Sequence, residues 1–186
     1  MKVAYVTRET CGLGHSVRGL ALVRAGQRTR VEVRAFGPRL EPLDGLLPFA
    51  PDIILGDLAW WRLTEYLDAL SVPGWCLARW VPADWFSGPR IDRWERRLSI
   101  EPAADRIAGI THRIAPIIDV SPLPIPADGT EIRAGFNAWW RAAWFGYRDR
   151  VRWYTEGSPE RQARIDAGGT FTVNGADTLM GMIRGD

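Results

Sequence analysis

The sequence KVAYVTRETCGLGHSVRGLALVRAG, residues 2–26, decides the fold class of this chain. It opens with a short apolar run that is typical of a buried strand. A loop with two glycines follows, and then a segment that carries Val17, Leu20 and Ala21 at helical spacing and that Gly26 can end. A strand that passes through a glycine-containing loop into a helix begins a βαβ unit, so this stretch predicts a parallel sheet.

The alternation of strand and helix continues along the first two thirds of the chain. We therefore expect an α/β fold, a Rossmann-like parallel sheet with helices on both faces, over residues 1–126. The further predicted strands are 30–36, 52–56, 74–81 and 111–118, and the further predicted helices are 58–70 and 90–109.

The last third of the chain differs in composition. A proline-rich stretch, residues 119–129, predicts a connector between domains. We expect a helical C-terminal appendage over residues 127–186. Its predicted elements are a tryptophan-rich helix over 131–154, a helix between Ser158 and Gly168, a short strand over 170–173 and a final helix over 176–183.

The composition excludes several classes of protein. Apolar residues make up 46% and charged residues 25% of the chain, which is ordinary for a folded domain. Two cysteines and two histidines without ligand spacing exclude a disulfide framework and a metal centre. No stretch reaches the roughly 18 apolar residues of a membrane span, and the N-terminus lacks a signal-peptide pattern. We expect a cytoplasmic protein.

The loop after the first strand is the first candidate site, because open parallel sheets bind ligands at the carboxyl ends of their strands. Gly12 and Gly14 let backbone N–H groups approach an anion, and the following helix adds its partial positive end. The spacing matches neither the dinucleotide fingerprint nor a P-loop, and a purely structural glycine turn is the alternative. The side chains that we expect to bind substrate phosphate at this loop are Arg8, Ser16 and Arg18.

His15 is a candidate catalytic residue in the same loop. An imidazole on the first turn of a helix faces the positive end of the helix dipole, which favours the uncharged ring that a general base needs. The alternative is a structural histidine.

The opening stretch resembles that of GT-B glycosyltransferases, in particular the group that adds N-acetylglucosamine to lipid-linked peptidoglycan precursors. PDIILGD (51–57) and PGWCLARW (73–80) are similar to the third and fourth strands of that family. The resemblance implies an acceptor-binding N-terminal domain whose first loop contacts the acceptor phosphate or the reacting hydroxyl. It nominates Gly12, Gly14 and His15, with Asp57 as the acid that orients His15.

The resemblance weakens toward the end of the chain. A GT-B enzyme has a second Rossmann domain of similar size for the nucleotide-sugar donor, whereas only about 60 residues follow the connector here. The segment AGGTFTVNGADTLMGMI (167–183) is similar to a donor-domain segment, but it lacks the glutamate that would hold the donor ribose. We expect no cofactor apart from a nucleotide-sugar donor, and a truncated donor-binding domain.

Two arginine-containing segments are further candidates. Arg79 lies near the end of the fourth predicted strand, and Arg93 lies at helical spacing from Arg96 and Arg97. We expect Arg79 and Arg93 to bind substrate; a solvated helix face is the alternative for the second segment.

The tryptophan-rich segment allows a nucleic-acid interpretation. Interleaved arginines and aromatic rings grip a backbone and stack on bases in nucleic-acid binders, although tryptophans at helical spacing also form cores and dimer seams. The net charge of +2 is small for a DNA-binding protein. The candidate residues are Trp140, Arg141, Trp144 and Arg148.

Three functions remain open from the residues. The first is a glycosyltransferase-like group transferase that binds a phosphate-bearing acceptor and a nucleotide sugar. The second is a phage-type transferase that modifies a DNA base. The third is a non-catalytic subunit of a split glycosyltransferase, acting with a separate donor-binding chain or as a homo-oligomer.

Overall fold

Six strands form one parallel sheet in the computed structural model of this chain. The structure describes residues 1–8, 13–57, 62–78, 91–101, 109–121, 136–147 and 172–186. The strands are β1 (Lys2–Val6), β2 (Glu32–Phe36), β3 (Ile53–Asp57), β4 (Gly74–Ala78), β5 (Arg96–Ser99) and β6 (His112–Arg113). The predicted α/β fold class is confirmed.

The strand order β2-β1-β3-β4-β5-β6 places β1 in the interior of the sheet. The chain leaves β1 toward β2 on one side and then returns to place β3 on the other side. This reversal is the topological switch point, where open α/β sheets form a crevice outside the carboxyl ends of their strands. The register pairs Val6 with Gly56, so Asp57 lies beside the end of β1.

Two helices cover one face of the sheet, α1 (Gly14–Thr29) and the last helix, α5 (Gly175–Arg184). Alternate strand residues such as Val3, Tyr5 and Leu55 point to this face, because side chains alternate along a strand. They form one buried cluster with α1 and α5, whose contributing residues are Ala21, Leu22, Ala25, Ala176, Leu179, Met180 and Ile183.

Two further helices, α2 (Leu46–Phe49) and α3 (Thr64–Leu70), cover the opposite face. The intervening strand residues point there, and the ring of Trp94 packs over Gly56, where any side chain would collide with it. The expectation of helices on both faces is therefore confirmed. The residues of this second cluster are Ala4, Val6, Phe36, Leu46, Phe49, Ile54, Leu63, Leu67, Cys76, Ala78, Ile91 and Trp94.

The first helix is longer than predicted. Gly26 does not end α1: the helix continues to Thr29, and Arg30 follows it in a left-handed conformation with φ 60°. A Cβ on Gly26 would lie 2.6 Å from the carbonyl oxygen of Val31 and would also collide with Val33. The glycine is therefore explained by the close approach of α1 to β2 and not by a helix end.

The predicted helix over 90–109 is wrong in its described part. Residues Ile91–Arg93 form one 3-10 turn, and Arg96–Ser99 form β5, which pairs with β4 from Trp75 to Ala78. The spacing of the arginines is compatible with a helix, but Leu98 and Ile100 alternate into the buried cluster, as strand residues do. The Arg96 guanidinium lies over the Trp75 ring at 4.3 Å.

The C-terminal residues also differ from expectation. The tryptophan-rich helix, α4, covers Phe136–Trp144 and ends before residues 145–147, which are described and which the predicted helix includes. Thr172 and Val173, the described part of the predicted strand over 170–173, form no strand. The final helix is present as predicted, one residue longer at each end. Because α5 packs in the same cluster as α1, part of the expected appendage belongs to the core of the sheet. The proposed boundary at residue 126 stays a prediction.

Among the described residues, no helix combines the length and the apolar character that crossing a membrane requires.

Candidate functional site

The candidate site lies where β1 and β3 end side by side and α1 begins. Tyr5 on β1 and Asp57 on β3 point to the face that α1 covers. A Cβ on Gly19 would lie 2.9 Å from the Tyr5 ring, so the glycine lets α1 approach β1 closely. This approach brings His15 and Arg18, on the first turns of α1, against the Asp57 carboxylate.

One carboxylate oxygen, Asp57 Oδ2, is the centre of a buried polar cluster. Arg18 Nε donates to it at 2.7 Å, and the Tyr5 hydroxyl contacts it as well. The same hydroxyl lies 2.8 Å from the backbone carbonyl oxygen of His15, so its one proton has two acceptors. Asp57 Oδ1 is fully buried and has no hydrogen-bond partner among the described residues.

His15 completes the cluster through Nδ1. This nitrogen lies 2.9 Å from Arg18 Nη2 and 3.1 Å from Asp57 Oδ2. The side chain of His15 is 7% exposed. Its Nε2 makes no hydrogen bond to the described residues and lies on the edge of the ring away from the Nδ1 contacts with Arg18 and Asp57.

The charges in the cluster support one another. Burial by itself favours a protonated carboxyl, yet the Arg18 guanidinium holds the pKa of Asp57 well below its usual range. Burial opposes the charge of Arg18, but the neighbouring Asp57 raises the pKa of Arg18 above its ordinary value. Burial and the Asp57 charge both raise the pKa of Tyr5, which keeps its proton. The cluster therefore holds an ionised Asp57, a cationic Arg18 and a neutral Tyr5.

The residues flanking the cluster include three more of the predicted ligand contacts. Gly14 is the first residue of α1, and Ser16 Oγ donates to the Pro38 carbonyl oxygen at 3.2 Å. Arg8 follows β1 and has 30% of its side chain exposed. Its Nη2 donates to Glu65 and to the Tyr66 hydroxyl on α3, whereas its Nε has no partner among the described residues.

The structure does not bring Arg93 to this site. Arg93 precedes the amino end of β5, at the opposite edge of the sheet, and pairs with Asp68 on α3. The other predicted contacts Gly12, Arg79 and Arg148 lie outside the described residues.

The predicted nucleic-acid residues that are described lie mostly inside the protein. Trp140 and Arg141 are buried, and Trp144 is half-buried. Trp140 packs edge-on against Trp139, with the ring centroids 4.4 Å apart, in a cluster with Ile118. Of the alternatives left by the sequence, this arrangement fits a packed core.

Two residues of the site have no counterpart among the sequence candidates. Tyr5 sits in an apolar strand, and no local pattern marks it as a polar contact. Glu101 follows β5, is buried, and its charge contributes to the raised pKa of Arg18. A strand prediction for 96–99 would have found Glu101, because it would have placed this acid just beyond a carboxyl end of the sheet.

The described residues contain no group of three or more histidine, cysteine or acidic side chains that would hold a metal ion. Cys76 is buried on the opposite face of the sheet, where burial raises the pKa of its thiol to about 12.

No protein-family model and no curated protein sequence matches the chain. Among solved structures, it is similar to "Spinosyn Rhamnosyltransferase SpnG complexed with thymidine diphosphate", with 14% sequence identity and a TM-score of 0.48. The alignment covers 82% of this chain and 64% of that one, so the chain spans less than two thirds of the length of the protein that it matches.

Proposed function

We propose that this chain acts in group transfer of the glycosyltransferase type and that its acceptor binds at the edge formed by the end of β1 and the start of α1. The observation that carries this proposal is the cluster of Tyr5, His15, Arg18 and Asp57 at the topological switch point. The cytoplasm is the compartment in which we place this activity.

A stability role alone accounts poorly for this cluster. Burying two charges costs desolvation free energy that their mutual attraction only about offsets. An apolar pair of similar volume therefore often stabilises a fold as well or better. Asp57 Oδ1 also lacks a partner among the described residues, and a buried carboxylate oxygen without one calls for an explanation. Titratable groups with shifted pKa values in a crevice favour a site for chemistry or binding.

The surroundings of the cluster suit an anionic acceptor. The backbone N–H groups at the start of α1 carry the partial positive end of the helix dipole. Arg8 adds a cation at the end of β1, with 30% of its side chain exposed. Together these groups favour a phosphate-bearing acceptor.

The choice of glycosyl transfer rests on the resemblance of the first loop to GT-B enzymes. A nucleotide sugar is then the donor, and we propose that a separate donor-binding subunit or a second copy of the chain supplies much of the donor site. The DNA-modification alternative depended on exposed aromatic and arginine side chains, and the burial of Trp140 and Arg141 weighs against it.

Binding of inorganic pyrophosphate, followed by amide NMR, tests the acceptor site. We expect shifts in residues 13–18 and at Arg8, with no change near Arg93. Arg8→Gln should weaken binding about 10-fold, since a charged hydrogen bond contributes roughly 1.5–3 kcal/mol. Arg93→Gln is the matched control, because Arg93 is an exposed, ion-paired arginine that precedes the amino end of β5, whereas Arg8 follows the carboxyl end of β1. Equal losses in both variants, or shifts centred elsewhere, would refute the acceptor site.

A further inference from the structure

Arg18 lies between His15 and Asp57 and contacts both. Its side chain is 2% exposed, its Nε donates to Asp57 Oδ2 at 2.7 Å, and its Nη2 lies 2.9 Å from His15 Nδ1. A guanidinium has five N–H donors and no acceptor, and it keeps its charge at any accessible pH. In the Arg18–His15 hydrogen bond, Nδ1 is therefore the acceptor.

The Asp57 carboxylate competes for the same nitrogen at 3.1 Å. A proton on Nδ1 would allow a hydrogen bond to Asp57. It would also place two N–H donors, one of His15 and one of Arg18, in repulsive contact. Asp57 Oδ2 already accepts a hydrogen bond from Arg18 Nε and contacts the Tyr5 hydroxyl. A further hydrogen bond from His15 would therefore stabilise this oxygen little. The hydrogen bond from Arg18 and a proton on Nδ1 exclude each other, and the contact with Arg18 is the shorter one.

We propose that Arg18 is a positioning residue that holds neutral His15 with its proton on Nε2. The ring then presents a hydrogen-bond donor, and not a lone pair, at the edge that faces away from Arg18 and Asp57. A histidine–aspartate pair that acts as a general base needs the opposite tautomer, with Nδ1–H donating to the carboxylate.

This tautomer specifies what His15 recognises. Nε2–H pairs with an oxygen that has lone pairs, such as a phosphate oxygen or a bridging sugar oxygen, and it leaves the proton of an attacking hydroxyl to another group. At the start of α1 this donor adds to the N–H groups of the helix, which fits a phosphate-bearing ligand. The identity of the ligand rests on the proposed function, whereas the tautomer belongs to the unliganded chain.

The tautomer is measurable without any ligand. The sequence holds two histidines, so His112→Gln leaves His15 as the single imidazole, and His112 is exposed on the short strand β6. Long-range proton–nitrogen NMR on this variant, with ring-labelled histidine at pH 8, distinguishes a protonated from an unprotonated nitrogen. We expect protonated Nε2 and unprotonated Nδ1. A protonated Nδ1 would overturn the proposal.

Replacement of Arg18 tests the cause. In Arg18→Met the competing donor is absent, and we expect the proton to move to Nδ1, facing Asp57. Arg24→Met is the control, because Arg24 is an exposed arginine of the same helix that pairs with Asp119 and does not contact His15. Unchanged protonation in a folded Arg18→Met variant would overturn the role of Arg18. Should that variant fail to fold, the spectrum of the His112→Gln protein alone decides the tautomer.

The two proposals can fail separately. Pyrophosphate binding together with a protonated Nδ1 would leave the acceptor site in place and remove the positioning role of Arg18. A protonated Nε2 without pyrophosphate binding would support the positioning role and refute the proposed ligand.

Discussion

Asp57 illustrates how one buried carboxylate organises several side chains. Its Oδ2 receives Arg18 Nε and contacts the Tyr5 hydroxyl, and the imidazole of His15 lies beside it. Removing the negative charge takes from the buried guanidinium of Arg18 the carboxylate to which its Nε donates. The stability of the fold should therefore depend strongly on this single residue.

We expect Asp57→Asn to lower the free energy of unfolding by about 3–5 kcal/mol, the usual loss when one partner of a buried ion pair is removed. Urea denaturation measures this change. Asp68→Asn is the matched control, because Asp68 forms an exposed ion pair with Arg93 and should contribute less than about 1 kcal/mol. Similar losses in both variants would mean that Asp57 is not a buried counter-ion.

The same pair of proteins yields a prediction for pH. The pKa of Asp57 is lower in the folded chain than the value of about 3.9 expected in the unfolded chain. Its contribution to stability is thus fully present above that unfolded value and is lost as the pH falls through the lower, folded value. The stability difference between wild type and Asp57→Asn should be constant from about pH 5 to 8 and shrink below about pH 4. A difference that grows on acidification would contradict this sign.

Among the elements, α1 sets the geometry of the site because two of its glycines lie directly against the sheet. Gly19 faces the Tyr5 ring, and Gly26 faces β2, so both contacts exclude even a methyl group. The contact between Gly19 and the Tyr5 ring determines how close His15 and Arg18 lie to the carboxyl ends of β1 and β3.

Gly26→Ala tests this close packing against helix propensity. Alanine favours a helix over glycine by about 1 kcal/mol, but overpacking costs about 1–3 kcal/mol, so we expect net destabilisation. Gly181→Ala in α5 is the control, because a Cβ there meets no atom of the described residues within 4 Å and should stabilise by up to about 1 kcal/mol. Thermal unfolding of both variants measures the contrast. A Gly26→Ala variant that is more stable than wild type would show that α1 can move away from β2.

At the scale of the whole molecule, the two ends of the chain share one core. The last helix packs on the same sheet face as α1, and Leu179 and Met180 are fully buried there. Arg28 and Asp177 also form an ion pair between α1 and α5. The described part of residues 167–183 thus packs onto the same sheet that carries Tyr5 and Asp57.

This packing leads to a prediction about the donor. Since the segment lacks the expected glutamate and its helix faces the core, the isolated chain should bind nucleotide sugars weakly. Calorimetric titration with UDP-, GDP- and TDP-sugars should show dissociation constants above about 1 mM, equivalent to roughly 4 kcal/mol. Pyrophosphate serves as the comparison ligand for the acceptor edge. Micromolar binding of any of these sugars would place a donor site within this chain.

The sequence by itself determined the parallel sheet and the order in which its first four strands and first helix follow one another. It also directed attention to the start of α1, where His15 and Arg18 contact Asp57. The spacing of apolar residues and the positions of glycines can be read from a short stretch of sequence. Strands and helices follow such local preferences, so these signals were sufficient to predict them. The pairing of His15 with Asp57 came from a family resemblance, and the structure places the two side chains 3.1 Å apart.

Only the tertiary structure decided which way the polar side chains point and what they contact. A strand pattern does not show that Tyr5 donates to a residue 52 positions later, nor that Arg18 turns inward to Asp57 while Arg93 pairs at the far edge of the sheet. Pairing with β4 also overrode the helical spacing of the arginines in β5. The physical reason is common to these cases: burial, charge pairing and strand pairing depend on neighbours distant in sequence, whose positions are set only when the sheet has assembled.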